Sequence, residues 1–286
     1  MSKFVKNKTF DEERSLYALS NATVLNCTFA GERDGESALK EARGIVVKDC
    51  SFSLRYPLWH VEDFTLKASR LDESTRAPIW HSKNGTIIDS EILGVKCLRE
   101  CDNIAVIGSK INSDEFGWRC RDIYIKNSEI ASSYLFFQCK NLEIDSLKME
   151  GKYSFQYTEN VKITNSDFNT KDAFWHCNNV TVENTVLKGE YIGWYSKNLT
   201  LKNCKIIGTQ PFCYAENLTL INCTMEQTDL AFEYSSVMAE IKGEILSVKN
   251  PKSGKIIADK IGEIILEDSV YENNCEIITG KQPVNV

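Results

Sequence analysis

The chain has 286 residues and carries 34 Lys and Arg against 40 Asp and Glu, a net charge of −6. Its 42% hydrophobic content supports a sizeable core and excludes a disordered chain. The acidic balance argues against a dedicated binder of nucleic acid or of anionic membrane, both of which need a basic surface.

The first residues, Met1-Ser2-Lys3-Phe4-Val5-Lys6, are basic but have no apolar segment and no cleavage site, so they do not read as a secretory signal. No stretch reaches the apolar length of a membrane span. The expectation is a soluble, cytoplasmic protein with reduced thiols and neither a membrane nor a nucleic-acid partner. Eleven cysteines are an odd count in a long chain, which does not fit the disulfide framework of a small secreted domain.

A repeat begins near residue 16. Asn198-Leu199-Thr200-Leu201-Lys202-Asn203-Cys204-Lys205-Ile206 returns 19 residues later as Asn217-Leu218-Thr219-Leu220-Ile221-Asn222-Cys223-Thr224-Met225. Steps of 19 back from Asn198 reach Asn179, Asn160, Asn141, Asp122, Asn103 and Asn84, and steps of 21, 19 and 23 then reach Asp63, Gly44 and Asn21. After each of these ladder positions comes an apolar–x–apolar run, the period of a short strand. An Asn or Asp follows in most repeats, then a small residue (Cys27, Cys50, Ser69, Ser90, Cys204, Cys223), then an apolar one (Phe29, Phe52, Leu71, Ile92, Ile206, Met225). Strands this short cannot bury a face alone. Stacked at about 4.8 Å, each pairs with its copies above and below, and like residues stack on like.

This pattern resembles the right-handed parallel β-helix superfamily, the fold of pectate lyases and polygalacturonases. It is most similar to a group of bacterial single-domain β-helix proteins defined only as a domain of unknown function. The resemblance covers residues 15–235 and, more weakly, the chain to 280. A left-handed helix would show a six-residue subperiod, which is absent. The expected architecture is all-β: a single-domain solenoid of about 12 coils, with an N-terminal cap at 1–15, regular coils at 16–235 and irregular C-terminal coils at 236–286. Insertions at 31–41 and 72–76 should form surface loops.

The segment before each ladder position, expected as a third strand, carries the candidate site. One column reads Tyr17, Lys40, Trp59, Trp80, Arg99, Trp118, Phe137, Gln156, Trp175, Trp194, Cys213. The next reads Ala18, Glu41, His60, His81, Glu100, Arg119, Gln138, Tyr157, His176, Tyr195, Tyr214. Together they hold all five tryptophans and all three histidines. Strict alternation would turn the Trp column inward as an aromatic stack, whereas a break of alternation at a turn would expose both columns. Exposed, they would form a stripe of roughly 50 Å over ten coils. Aromatic faces would receive sugar rings there, and polar side chains would bond hydroxyls. The candidate saccharide-binding residues are Trp59, His60, Trp80, Arg99, Trp118, Gln138, Tyr157, Trp175, His176, Trp194 and Tyr195.

For chemistry, Glu100, Arg119 and His81 form the best constellation: a carboxylate for acid, base or nucleophile, a guanidinium for anionic charge, and an imidazole that titrates near neutrality. An enzyme of this kind would be a glycoside hydrolase or polysaccharide lyase. The Gly-His-Gly, Arg-x-Lys and clustered-aspartate elements of the superfamily's enzymes are absent, however, and the question of catalysis stays open. Cys101, Cys120 and Cys139 lie in a line, which is not the convergence a metal needs. No metal and no cofactor are expected. The leading reading is a protein that binds or processes an oligo- or polysaccharide. The alternative is a structural or protein-interaction β-helix, homo-oligomerising through its aromatic stripe.

Overall fold

A computed structural model describes residues 3–31, 36–280 and 282–283. The protein is a right-handed parallel β-helix, all-β, of about 14 turns. The chain divides into two compact units, Met1–Lys148 and Met149–Val286.

In the first unit five successive coils begin with a six-residue strand: Ser20–Leu25, Arg43–Lys48, Glu62–Lys67, Lys83–Ile88 and Asp102–Ile107. These pair in parallel and in register, so that Ile45 faces Phe64, Phe64 faces Gly85, and Gly85 faces Ile104. Gly85 suits its place because a Cβ there would lie 2.2 Å from the Phe64 ring. The ladder residues interrupt the strands with left-handed backbone, φ being 54° at Asp63, Asn84 and Asn103. Asn and Asp tolerate that conformation better than other side chains. Their side chains also bond along the stack: Asn84 Nδ2 donates to Asp63 Oδ1 at 3.0 Å, and Asn103 Nδ2 to Asn84 Oδ1 at 3.0 Å.

A second left-handed residue (Asn26, Asp49, Asp89) turns the chain into a two- or three-residue strand such as Thr28–Phe29, Ser51–Phe52 or Glu91–Ile92. Phe29 and Phe52 point inward, fully buried, and stack at 4.5 Å. Segment 3–10, expected within the cap, forms strands in coil register: Lys3–Lys6 pairs with 22–25, and Thr9–Phe10 with Thr28–Phe29. The coil series therefore starts earlier than expected. The 31–41 insertion includes residues outside the described set.

The second unit repeats the plan, with strands Glu159–Thr164, Asn178–Glu183 and Lys197–Lys202 in parallel register. Its core is aromatic: Phe155 stacks on Phe168 at 5.6 Å and on Phe174 at 5.2 Å. Longer strands, Ser236–Lys249 and Ser253–Ile265, continue the parallel pairing, and Asn274–Thr279 pairs with the latter. Coils at both ends thus account for about 14 turns where the repeat alone suggested about 12.

The thiols behave as small interior packing. Ten of the eleven cysteines are buried, Cys275 is half-buried, and all are free. The Cys120 Sγ donates to Leu98 O at 3.0 Å and receives Cys101 N–H at 3.4 Å. Two coils earlier, the Ser82 hydroxyl does the same with Leu58 O and Val61 N–H, at 3.0 and 3.1 Å. Serine and cysteine occupy one geometric role here, as the repeat implied.

Candidate functional site

The expected third strand is mostly a stack of turns. In the first unit only Leu58–Trp59 and Ile79–Trp80 form short parallel strands, with single bridges continuing from Trp80 to Arg99 and from Arg99 to Trp118. The cause is local backbone. Every residue of the polar column has φ near +55°: His60 (55°), His81 (49°), Glu100 (53°), Arg119 (54°), Gln138 (56°), Tyr157 (56°), His176 (53°) and Tyr195 (54°). A left-handed residue reverses the side-chain alternation. The polar column therefore points outward, and the Trp column before it is half-buried rather than interior.

The half-buried Trp column is not an open platform. In the first unit Lys40 Nζ sits 3.9 Å from the Trp59 ring centroid. Trp59 stacks on Trp80 at 5.3 Å and 10°, and Tyr56 leans on both at 5.9 and 5.8 Å. The Arg99 guanidinium lies 4.9 Å from the Trp118 ring, and Trp118 meets Phe137 at 5.1 Å. Ring faces are thus taken by neighbouring coils.

A second regularity concerns the polar edges of this column. Trp118 Nε1 donates to Tyr134 O at 2.8 Å and Trp194 Nε1 to Gln210 O at 2.7 Å, each 16 residues ahead. Gln156 Nε2 reaches Asp172 O, also 16 ahead, at 3.4 Å. Arg99 instead reaches the Glu115 carboxylate at 2.6 Å, which Lys96 shares at 3.3 Å. The indole N–H groups of Trp59, Trp80 and Trp175 are buried with no hydrogen-bond acceptor among the described residues. The carbonyl 16 residues ahead carries no sequence signal, which is why these partners were not foreseen.

The outward column is where solvent meets chemistry. In the first unit His60 stacks on His81 at 5.0 Å, and His81 Nδ1 lies 3.3 Å from Glu100 Oε2. Arg119 Nε donates to Gln138 Oε1 at 3.3 Å. The structure therefore joins His81 to Glu100, while the described contact of Arg119 is with Gln138. Burial, opposed by Glu41 and aided by the charges of His81 and Lys40, holds His60 below the usual imidazole range. Glu62, a conceivable partner for Glu100, is held by Arg43 and Lys83 at 3.4 and 2.9 Å. Asp114 caps the Ser133 N–H at 2.9 Å.

In the second unit Tyr157, His176, Tyr195 and Tyr214 form a face-to-face file, with Trp175 and Trp194 beside it at 5.9 Å from His176 and 6.4 Å from Tyr195. Burial, then the charge of Lys197, holds His176 below the usual imidazole range. Among the described residues no three of His, Cys, Asp and Glu converge as a metal site would require.

A family model described as a protein of unknown function, DUF3737, matches residues 3–278. The chain belongs to that family. No curated protein matches it. Among solved structures it is similar to PfbA, a surface adhesin of Streptococcus pneumoniae, at TM-score 0.56 and 11% identity, covering 83% of this chain and 84% of that one. The A-module of the Azotobacter vinelandii mannuronan C-5 epimerase AlgE4 aligns at TM-score 0.37 and 10% identity, over 95% of this chain and 88% of that one. A tailspike protein of E. coli bacteriophage HK620 aligns at TM-score 0.41 and 8% identity, over 96% and 72%. At such identities the PfbA match speaks for the fold, as the resemblance in the repeat did.

Proposed function

We propose that this protein binds saccharide chains along the outward column of its turn stack, and that it does so as a binder rather than by bond cleavage. The observation that carries this reading is the outward column itself. In the first unit it presents His60, His81, Glu100, Arg119 and Gln138, and in the second Tyr157, His176 and Tyr195, each one coil from the next within its unit. Hydrogen-bonding and aromatic edges repeating at about 4.8 Å suit a polymer with many hydroxyls. Each side chain stands on a backbone fixed by bonds to the next coil, such as His81 N–H to Arg99 O at 3.0 Å, so little ordering is required on binding.

Binding is preferred to cleavage because the Glu100 carboxylate has an imidazole as its described partner. Cleavage by two carboxylates needs a second one poised across the scissile bond. The half-buried Trp column acts as support for the row, since in the first unit its ring faces are engaged between coils. A glycan array followed by titration tests the proposal. Arg119→Ala and Tyr157→Ala should weaken binding by tenfold or more without moving the unfolding midpoint. Loss of binding in Trp variants alone, or no bound glycan at all, would overturn it.

A further inference from the structure

In the second unit the file of outward rings is regular from Tyr157 to Tyr214, with centroids 4.7–5.0 Å apart and planes within 12°. The next step breaks it. Tyr234 lies 5.5 Å from Tyr214 but is tilted by 52°, and Tyr271 stands at 78° to Tyr234, 5.1 Å away. The break has a sequence cause. Tyr234 follows Tyr214 by 20 residues instead of 19, and the strand pairing slips between Leu220 and Cys223. Tyr271 arrives from the segment joining Ser253–Ile265 to Asn274–Thr279.

Where the rings diverge they leave a cavity of about 290 Å³, lined by Tyr195, Tyr214, Tyr234 and Tyr271 together with Lys252 and Glu216. That volume is at the small end for ligand pockets, the size for one ring rather than a chain. Its polar complement is asymmetric. The Glu216 carboxylate is matched by Lys197 Nζ at 3.0 Å. Lys252 Nζ lies 5.1 Å from the Tyr271 ring and has no acidic partner among the described residues. Ser236 Oγ accepts the Asn217 N–H at 2.7 Å and keeps its own proton to donate. Burial, reinforced by the charge of Glu233, raises the Tyr214 phenol above its ordinary range and keeps it a donor.

We propose that this cavity binds a single pyranose ring carrying an anionic group, with the ring between the diverging tyrosines and the anion on Lys252. The inference rests on the saccharide reading above and deepens it: the cavity takes a charged unit, and the outward column takes the chain. Neither the column pattern nor the ladder marks the place, since it exists only where the repeat is broken.

Calorimetric titration of the full chain with glucuronate, glucose 6-phosphate, glucose and inorganic phosphate tests it. The expected result is that at least one of the two anionic sugars binds tenfold or more tighter than glucose or free phosphate. Their order identifies carboxylate or phosphate as the preferred anion. Lys252→Ala should remove that preference, Lys252→Arg should keep it, and Tyr271→Ala should weaken both anionic sugars. Lys252 and Tyr271 are exposed, so neither variant threatens the fold. Equal binding of glucose, unchanged affinity in Lys252→Ala, or no response to either anionic sugar would overturn the inference. Oligosaccharide binding that depends on Arg119 and Tyr157 while the anionic sugars fail would refute the cavity and spare the column. The reverse pattern would refute the column and spare the cavity.

Discussion

Replacing Trp80 and Trp118 by Phe should have unequal consequences, although both are half-buried tryptophans of one column. Each change removes part of an indole from packing, at a cost of about 1 kcal/mol for the lost apolar area. In Trp118→Phe the bond from Nε1 to Tyr134 O at 2.8 Å is also lost, adding about 1 kcal/mol. The total is about 2 kcal/mol. In Trp80→Phe the lost N–H is one that is buried without an acceptor, and burying an unsatisfied donor costs about 1–3 kcal/mol. Relief of that cost offsets the lost area, and Phe keeps a ring face for Trp59. The net change should be within about 0.5 kcal/mol of zero, or stabilising. Urea unfolding followed by circular dichroism reads the difference directly, since midpoints shift at constant slope. The reasoning fails if the two variants lose equal stability, or if Trp80→Phe is the weaker protein.

Two further outcomes follow from the same packing. Thiol titration of the native protein should find Cys275 as the one slowly reacting group, because ten thiols are buried and burial pushes Cys275 up to about 11. After denaturation the count should rise to eleven; several fast native thiols would contradict the stacked arrangement. Stability should also fall as pH drops below 6.5, the ordinary imidazole value, because His60 and His176 are held below it in the folded state and protonation therefore favours unfolding. Both side chains are well exposed, so the contribution is small. It should be visible as a smaller loss between pH 7.5 and pH 5 in His60→Gln with His176→Gln. An equal loss in that double variant would assign the pH dependence to other groups.

Much of the fold was legible because a solenoid writes its geometry as a period. Asn84, Asn103 and Asn198 announced the ladder, and Cys101, Cys120 and Ser82 announced a small interior column that the hydrogen bonds bear out. The terminal coils were less legible because their spacing departs from 19. Lys3–Lys6 carries no ladder residue, and Ser236–Lys249 runs on as one strand of 14 residues where the regular coils turn. At the candidate site, the sequence sorted the residues into two columns but left open which way the Trp column turned. That depended on the backbone sign at His60, His81 and Glu100, which alternation alone does not reveal. Of the grouped residues Glu100, Arg119 and His81, the structure brings His81 to Glu100, while the described contact of Arg119 is with Gln138. The cavity at Tyr234 and Tyr271 escaped because it arises from a one-residue excess and a connecting segment without periodicity.

The left-handed backbone of the outward column has an evolutionary corollary. A side chain with a Cβ costs about 1–2 kcal/mol in that conformation, and Gly or Asn would hold the same turn for less. At the ladder positions the chain takes that cheaper solution. In the outward column it carries His60, Glu100, Arg119 and Gln138 instead. None of these supports the core, so each can be exchanged for another residue, and several for Gly, with stability held or improved. The column is thus a line of characters that selection can rewrite one at a time, on a scaffold that does not depend on what is written there.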